Sequence, residues 1–382
     1  MTIPILSMSE KIQLVRNYLI DSHVGAWLII DFRGCDPTGL ALLGDLAPHS
    51  RLYAILIRPS DPITIIKSPV ESNELIGLDS SLQILDARTQ AAFMQTIKKQ
   101  TKGLQRIAVN YGANPQTDVL PAGRLIHLQQ TIPSVTWETG ENLMQIIHSV
   151  LTPDQLQKHK EAAKTLTNIM GLTFEFVKDR IGTVTEEQVA QFMRDQLNKA
   201  KLSFNDGPMV AVQENAANPH YTSQHITIKK NQLLMIDLWA KYTIYADITH
   251  MAYTGAKAPP EIQTVWDTIL EARNAATQAI KPNIPARIPD EVAREIIIAA
   301  GYEKSILHRT GHSIDERSHG RGANLDSHEM PETRLLLPNT LTSVEPGIYL
   351  KGKFGVRSEI NVAVTKSGYE VTTPPQESLL CL

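Results

Sequence analysis

Residues 233–255 read LLMIDLWAKYTIYADITHMAYTG, with two carboxylates, Asp237 and Asp247, set in apolar, β-prone sequence. Leu233, Leu234, Met235 and Ile236 lead into Asp237. Tyr245 and Ala246 lead into Asp247, and Ile248, Met251 and Tyr253 follow it. Both flanks predict strands, with Lys241-Tyr242-Thr243 as the turn. Pairing 237 with 247 centres the hairpin on Tyr242 and sets the two Asp side chains opposite each other, Cβ atoms ~5 Å apart. At an effective dielectric near 20, two ionised carboxylates ~4 Å apart repel by roughly 4 kcal/mol. A shared proton, basic partners or cations must offset that repulsion. Taken alone, the stretch reads more simply as one Asp capping a turn and the other facing water.

The chain has 382 residues, 42% hydrophobic and 20% charged, which predicts an ordinary globular protein of about two or three domains. A formal charge of −3 gives no basic footprint for nucleic acid. Cys35 and Cys381 are far apart and form no CxxC pair, so a disulfide scaffold is not expected and a cytoplasmic location is. The opening MTIPILSMSEKIQ lacks the charged and long apolar regions of a signal peptide. No apolar run reaches the ~18 residues of a membrane span.

Residues 1–150 predict an α/β domain. Ser9 is placed to cap a helix with Ile12, Val15 and Leu19 inward. Residues 26–30 (AWLII) read as a buried strand, 51–58 and 63–67 as a hairpin, and 106–111 as a further strand. Nothing here groups carboxylates, histidines or a glycine-rich phosphate cradle, so this half reads as a scaffold or lid. Cys35, beside Asp36, has no basic neighbour in sequence and is expected to be inert.

A boundary falls at Thr152-Pro153, a helix start with Thr152 as N-cap. Leu166, Met170, Thr173 and Val177 form its inward stripe, and Gly182 closes it. Thr185 and Gln188 make a capping box for a second helix with Val189, Phe192, Met193 and Leu197 inward. A strand at 209–212 precedes a polar loop carrying His220. Two more helices are expected from Pro259-Pro260 and from Asp290, the latter ending at Gly301. Histidines then gather at 308, 312 and 319. Imidazoles serve as metal ligands and as proton carriers near neutral pH. Glu345 lies in LTSVEPGIYL (341–350), and Glu359 in GVRSEINVAVT (355–365). In the latter, period two puts Val356, Ile360, Val362 and Val364 on one face and Arg357, Glu359 and Asn361 on the other.

Asp237, Asp247, His312, Glu345 and Glu359, in this order, resemble the metal-ligand set of the pita-bread metallopeptidases: aminopeptidase P, prolidase and methionine aminopeptidase. The motifs are ID(x9)D followed by IT at 236–249, TGHSI at 310–314 with His319 after it, TSVEPGIY at 342–349 and VRSE at 356–359. The resemblance implies an α+β protein: a creatinase-like α/β domain, 1–150, then a catalytic domain, 151–382, with a curved sheet, covering helices and two similar halves. The long first half is closest to the aminopeptidase P and prolidase branch. Homodimerisation is expected by the same analogy.

The resemblance further implies two divalent ions, manganese foremost, with cobalt or zinc as alternatives. Asp247 and Glu359 would bridge both ions, Asp237 would serve one, and His312 and Glu345 the other. Four carboxylates against two divalent cations give a neutral cluster. The implied reaction is hydrolysis of the amino-terminal Xaa-Pro bond of peptides or dipeptides. Glu345 is expected to shuttle the proton, His220 and His319 to bind substrate and intermediate, and Arg357 to orient Glu359.

The chain departs from the family pattern beside these positions. One residue fewer separates the two Asp, Trp239 stands where a small residue is common, and His250 replaces a frequent Arg. The acidic residue usual after His319 is absent. Arg317 or Arg321 is a candidate clamp for a substrate's terminal carboxylate, which would favour dipeptides. Other readings are a metallo-aminopeptidase without proline specificity, an amide or C–N hydrolase of the creatinase type, and a non-catalytic binding module.

Overall fold

The computed structural model describes residues 8–44, 50–71 and 82–382. The chain divides into two compact units, Met1–Val150 and Leu151–Leu382. Residues 1–7, part of the opening segment read above for a leader, lie outside the described residues.

In the first unit, α1 (Met8–Asp21) precedes β1 (Ala26–Phe32) and α2 (Pro37–Leu43). Then follow β2 (Leu52–Ile57), β3 (Ile63–Lys67), β4 (Leu82–Asp86), α3 (Gln90–Gln100), β5 (Arg106–Val109), α4 (Ala122–Thr131), β6 (Thr136–Thr139) and α5 (Glu141–Ser149). The sheet order is β4-β3-β2-β1-β5-β6. β2 and β3 form the expected antiparallel hairpin, while β1, β5 and β6 run parallel. Ser9 falls inside α1 rather than capping it, because the helix already begins at Met8. Asp36, beside the exposed Cys35, caps α2 through Thr38 N at 2.9 Å.

The second unit opens with α6 (Pro153–Lys178) and α7 (Glu186–Lys199), each started by the expected Thr cap completed as a capping box with Gln155 or Gln188. α6 ends before Gly182, which sits in the following turn at φ +93°. β7 (Met209–Val212), β8 (Leu233–Lys241) and β9 (Tyr245–Tyr253) build an antiparallel sheet. The remaining elements are α8 (Pro260–Ala279), α9 (Ile288–Ala299), β10 (Ser313–Ile314), β11 (Leu341–Val344), β12 (Gly347–Leu350), β13 (Phe354–Arg357), β14 (Ile360–Val364), β15 (Tyr369–Val371) and β16 (Leu380–Cys381). β10, β11, β14 and β15 form a second antiparallel sheet, β12 and β13 a ribbon, and β16 joins the edge of β9 in parallel. The 355–365 segment is thus two strands, broken at Ser358 and Glu359, not one. No helix among the described residues is long and apolar enough to cross a membrane.

Strand parity decides where the hairpin's side chains go. Leu234, Ile236, Leu238, Ala246, Ile248 and Ala252 pack with Leu166, Met170, Val189 and Met193 of α6 and α7. The opposite face divides along its length. Leu233, Met235, Met251 and Tyr253 join a core with Val265, Trp266 and Ile269 of α8. Towards the turn, the same face presents Asp237, Trp239, Asp247 and Thr249. An apolar flank on both sides is therefore compatible with one polar pocket at one end of one face.

Candidate metal centre

The hairpin register differs from the one expected. Lys241 pairs with Tyr245, leaving a turn of Tyr242, Thr243 and Ile244, so Asp237 faces Thr249 and Asp247 faces Trp239. Ile244 is fully buried and Tyr242 exposed, which moves the turn one residue along. The two Asp keep one face but stand diagonally, roughly 7 Å apart in this geometry instead of directly opposed.

Two links bring the second sheet to this pair. The Asn361 side-chain amide brackets the Asp247 backbone: Asp247 N donates to Asn361 Oδ1 at 2.8 Å, and Asn361 Nδ2 donates to Asp247 O at 2.7 Å. Glu359 N donates to Thr249 O at 3.2 Å. The polar face of the 355–365 segment is therefore buried against β9 rather than solvated. His312 arrives through β10, its carbonyl accepting from Ser343 N at 2.9 Å. Ser343 Oγ donates to Glu345 Oε1 at 3.1 Å.

All five predicted ligands line one cavity of about 1180 Å³, together with His220, His319 and Arg357. Asp247, His312 and Glu359 each offer a donor atom within 4.8 Å of the others. His312 Nε2 lies 3.3 Å from Glu345 Oε1 and 3.7 Å from Asp247 Oδ2. His312 Nδ1 sits 3.1 Å from Ser313 O; donation there leaves the Nε2 lone pair turned to the carboxylates. Asp237 joins through Thr249, whose Oγ1 is 3.0 Å from Asp237 Oδ1 and 2.8 Å from Glu359 Oε2.

The donor set fits a cation. Glu359 Oε1 is buried and has no hydrogen-bond partner among the described residues, an arrangement costly unless a positive group meets it. Burial first, then acidic neighbours, push the carboxyls of Asp247 and Glu359 well above the usual carboxylate range. Burial also raises Asp237, against the opposing pull of Arg357. For Glu345 burial acts upward too, but His312, Arg357, His308 and His319 together hold the carboxyl down to about 2. The His312 ring, 4.2 Å away and competing for the same proton, and then burial lower His319 to about 3. Oxygen-rich donors with one imidazole suit hard to borderline divalent ions.

Arg357 acts differently from the expectation. Its Nη2 pairs with Asp237 Oδ2, its Nη1 lies 3.8 Å from Glu345 Oε2, and its Nε donates to Thr249 Oγ1 at 2.9 Å. It steadies Asp237 and Glu345 directly and reaches Glu359 only through Thr249. The carboxylate clamp also needs correction. Neither Arg317 nor Arg321 lines the cavity. Arg321 is buried, its amide bound to Asp315 Oδ2 at 2.9 Å and its carbonyl accepting from Arg334 Nη1 at 2.7 Å. The backbone so held directs this residue into the protein.

Thr249, Asn361 and Ser343 carry no motif of their own, although Thr249 lies two residues from Asp247 on β9 and Asn361 two residues after Glu359. His308, one of the gathered histidines, and Tyr349, the last residue of TSVEPGIY, are given no role by the sequence: His308 Nε2 is 2.7 Å from Tyr349 Oη, and His308 lines the cavity.

The profile of Metallopeptidase family M24 matches residues 157–366. An uncharacterised peptidase of Staphylococcus haemolyticus is 27% identical over 347 residues, covering 85% of this chain and 89% of its own. Among solved structures, prolidase from Thermococcus sibiricus superposes with a TM-score of 0.70 at 23% identity, covering 98% of this chain and 99% of its own. Xaa-Pro dipeptidase from Bacillus anthracis gives 0.71 at 21% identity over 98% and 100%. The fold is that of the pita-bread peptidases. With a buried cation-ready cluster on that fold and the family profile spanning it, the chain belongs to metallopeptidase family M24.

Proposed function

We propose that this metallopeptidase hydrolyses the amino-terminal Xaa-Pro bond of dipeptides or short peptides, using two divalent ions, manganese foremost, held by Asp237, Asp247, His312, Glu345 and Glu359. The observation that carries the reading is the triad of donors within 4.8 Å, in which one buried oxygen of Glu359 has no hydrogen-bond partner among the described residues. The solved prolidase and Xaa-Pro dipeptidase relatives support the choice of substrate through shared fold. A homodimer is part of the proposal.

When bound, the ions would supply hydroxide at neutral pH and polarise the scissile carbonyl. The chain's own residues do the rest. Glu345, ionised at neutral pH, takes the proton of the attacking water on its carboxylate and passes it to the leaving nitrogen. His319, neutral at the same pH, and His220 line the cavity and donate to the carbonyl oxygen as it gains charge. Arg357 and Thr249 fix Asp237, Glu345 and Glu359 relative to one another. Arg357 also alters the charge balance inferred from the acids alone. Four carboxylates and one guanidinium leave three negative charges when all are ionised, which two divalent ions would more than offset.

The test is hydrolysis by protein loaded with manganese, cobalt or zinc against Xaa-Pro dipeptides, Xaa-Pro-Yaa tripeptides and Met-Ala peptides. Chelator-sensitive cleavage restricted to the proline substrates is expected. Cleavage of Met-Ala alone would transfer the site to a different specificity, and no cleavage of any peptide would refute the assignment.

A further inference from the structure

Three cationic side chains, Arg194, Arg309 and Arg357, line the cavity among the described residues. Two are committed. Arg194 pairs with Glu187, and Arg357 with Asp237 and Glu345. The guanidinium of Arg309 has no hydrogen bond or ion pair recorded among the described residues, although it is only partly exposed and the cavity wall is otherwise rich in acids.

Its backbone, by contrast, is fixed on every side. Arg309 N donates to Glu329 Oε1 at 2.7 Å, and His308 Nδ1 lies 2.6 Å from Arg309 O. Thr310 N donates to Asp290 Oδ1 at 2.8 Å, and Thr310 O accepts from Glu345 N at 2.7 Å. The base of this side chain is thus held one residue from the backbone of Glu345, while its head is uncommitted. An uncommitted donor fork on a fixed base matches a carboxylate bidentately.

We infer that Arg309 binds the terminal carboxylate of the substrate and makes the protein a dipeptidase. The inference rests on the Xaa-Pro reading above. Glu345 delivers its proton to the leaving nitrogen. In a dipeptide the carboxylate of the leaving residue is two bonds from that nitrogen, so a guanidinium rooted beside Glu345 meets it. A longer peptide carries a neutral amide there and leaves Arg309 without a partner.

The experiment compares an Xaa-Pro dipeptide with its C-terminal amide and with an Xaa-Pro-Yaa tripeptide, using metal-loaded wild type, Arg309→Gln and Arg309→Lys. Wild type should prefer the free acid at least about tenfold in kcat/KM, chiefly through KM. Arg309→Gln should lose about 10- to 100-fold on the dipeptide, as expected for removing a charge-assisted bond, and stay within about twofold on the amide. Arg309→Lys should recover part of the loss. Calorimetry with L-proline and L-prolinamide gives a readout that needs no turnover: the acid should bind more tightly to wild type, and Arg309→Gln should erase the difference. Equal losses on acid and amide, or an acid preference intact in Arg309→Gln, would overturn the inference while leaving the peptidase reading in place. Absence of all peptide hydrolysis, with L-proline and L-prolinamide bound alike, would remove both.

Discussion

Thr249 Oγ1 stands 2.8 Å from Glu359 Oε2, and this one hydroxyl connects three charged groups of the centre. It accepts from Arg357 Nε at 2.9 Å and has a single proton for either Glu359 or Asp237. Thr249→Val keeps the shape and removes the link, leaving a buried guanidinium N–H and a carboxylate oxygen unpaired. Metal affinity should fall about 10- to 100-fold, as is usual when an outer partner of a ligand is lost. Stability should fall by about 1–3 kcal/mol. Metal titration followed by competition with a chelator reads the first, and denaturant unfolding the second. Unchanged metal affinity would reduce Thr249 to a packing residue.

Glu345 is the group assigned to move the proton. Its carboxylate lies 3.3 Å from His312 Nε2 and accepts from Ser343 Oγ. Glu345→Gln keeps size and one oxygen but has no basic site. Turnover should drop by about 10²–10⁴-fold, with the melting temperature close to wild type in the metal-loaded protein. Steady-state kinetics beside a thermal melt decide it. A variant with wild-type kcat would return the role of base to another group.

How much of this was legible in the sequence follows from which interactions are local. Caps are local, and Thr152 and Thr185 were readable with their partners three residues on. The five candidate ligands stood out because each sits in a short motif, and they line one cavity. The register of the hairpin was not, because it depended on burying Ile244 rather than Thr243. Arg357 was assigned to Glu359, its neighbour in sequence, but its pairs are Asp237 and Glu345. Nothing in a single chain tells which carboxylate a guanidinium will meet across two sheets. Arg309 was invisible for a related reason: its proposed role rests on a guanidinium with no ion pair among the described residues, a property only the assembled cavity has.

Metal should matter more to stability as pH rises. Burial holds the carboxyls of Asp247 and Glu359 protonated in the metal-free fold well above the usual carboxylate range. Over the window from that ordinary range up to their raised values, the folded state binds more protons than the unfolded one. Stability of the metal-free protein then falls with increasing pH. Cations displace those protons, so the gap between loaded and chelated melts should widen from pH 5 to pH 8. At a thousandfold excess over Kd the gap should reach roughly 10 °C. Comparing the two forms at each pH cancels groups that titrate in both. A gap independent of pH would contradict the cluster's linkage.

His159, on α6, titrates in the opposite sense. Its Nδ1 lies 2.6 Å from Tyr245 O and its Nε2 2.7 Å from Thr372 Oγ1, and burial lowers it from 6.5 to about 4. A histidine with a depressed folded value contributes stability in full above 6.5, and that contribution is lost as pH falls towards 4. The most this can amount to is about 3 kcal/mol. His159→Gln retains a donor and an acceptor without titrating. Its loss of stability between pH 6.5 and 4 should be shallower than wild type by about that amount. Parallel pH profiles for the two proteins would show that His159 is not the group responsible.

Gly311, beside the proposed ligand His312, makes a close backbone approach. A Cβ there would lie 2.1 Å from the carbonyl oxygen of Ser343, an atom that cannot rotate away. Gly311→Ala must therefore separate the 308–312 segment from β11, on which both His312 and Glu345 depend: Ser343 N donates to His312 O and Glu345 N to Thr310 O. The expected result is a stability loss of about 2 kcal/mol or more, with metal affinity at least about tenfold weaker. Gly171, on α6, is the control, since a Cβ there meets nothing within 4 Å. Gly171→Ala should stabilise by roughly 0.5–1 kcal/mol through helix propensity and leave metal binding alone. Metal titration of both variants separates the two effects. Wild-type affinity in Gly311→Ala would mean that His312 does not need its contact with β11 to reach the carboxylates.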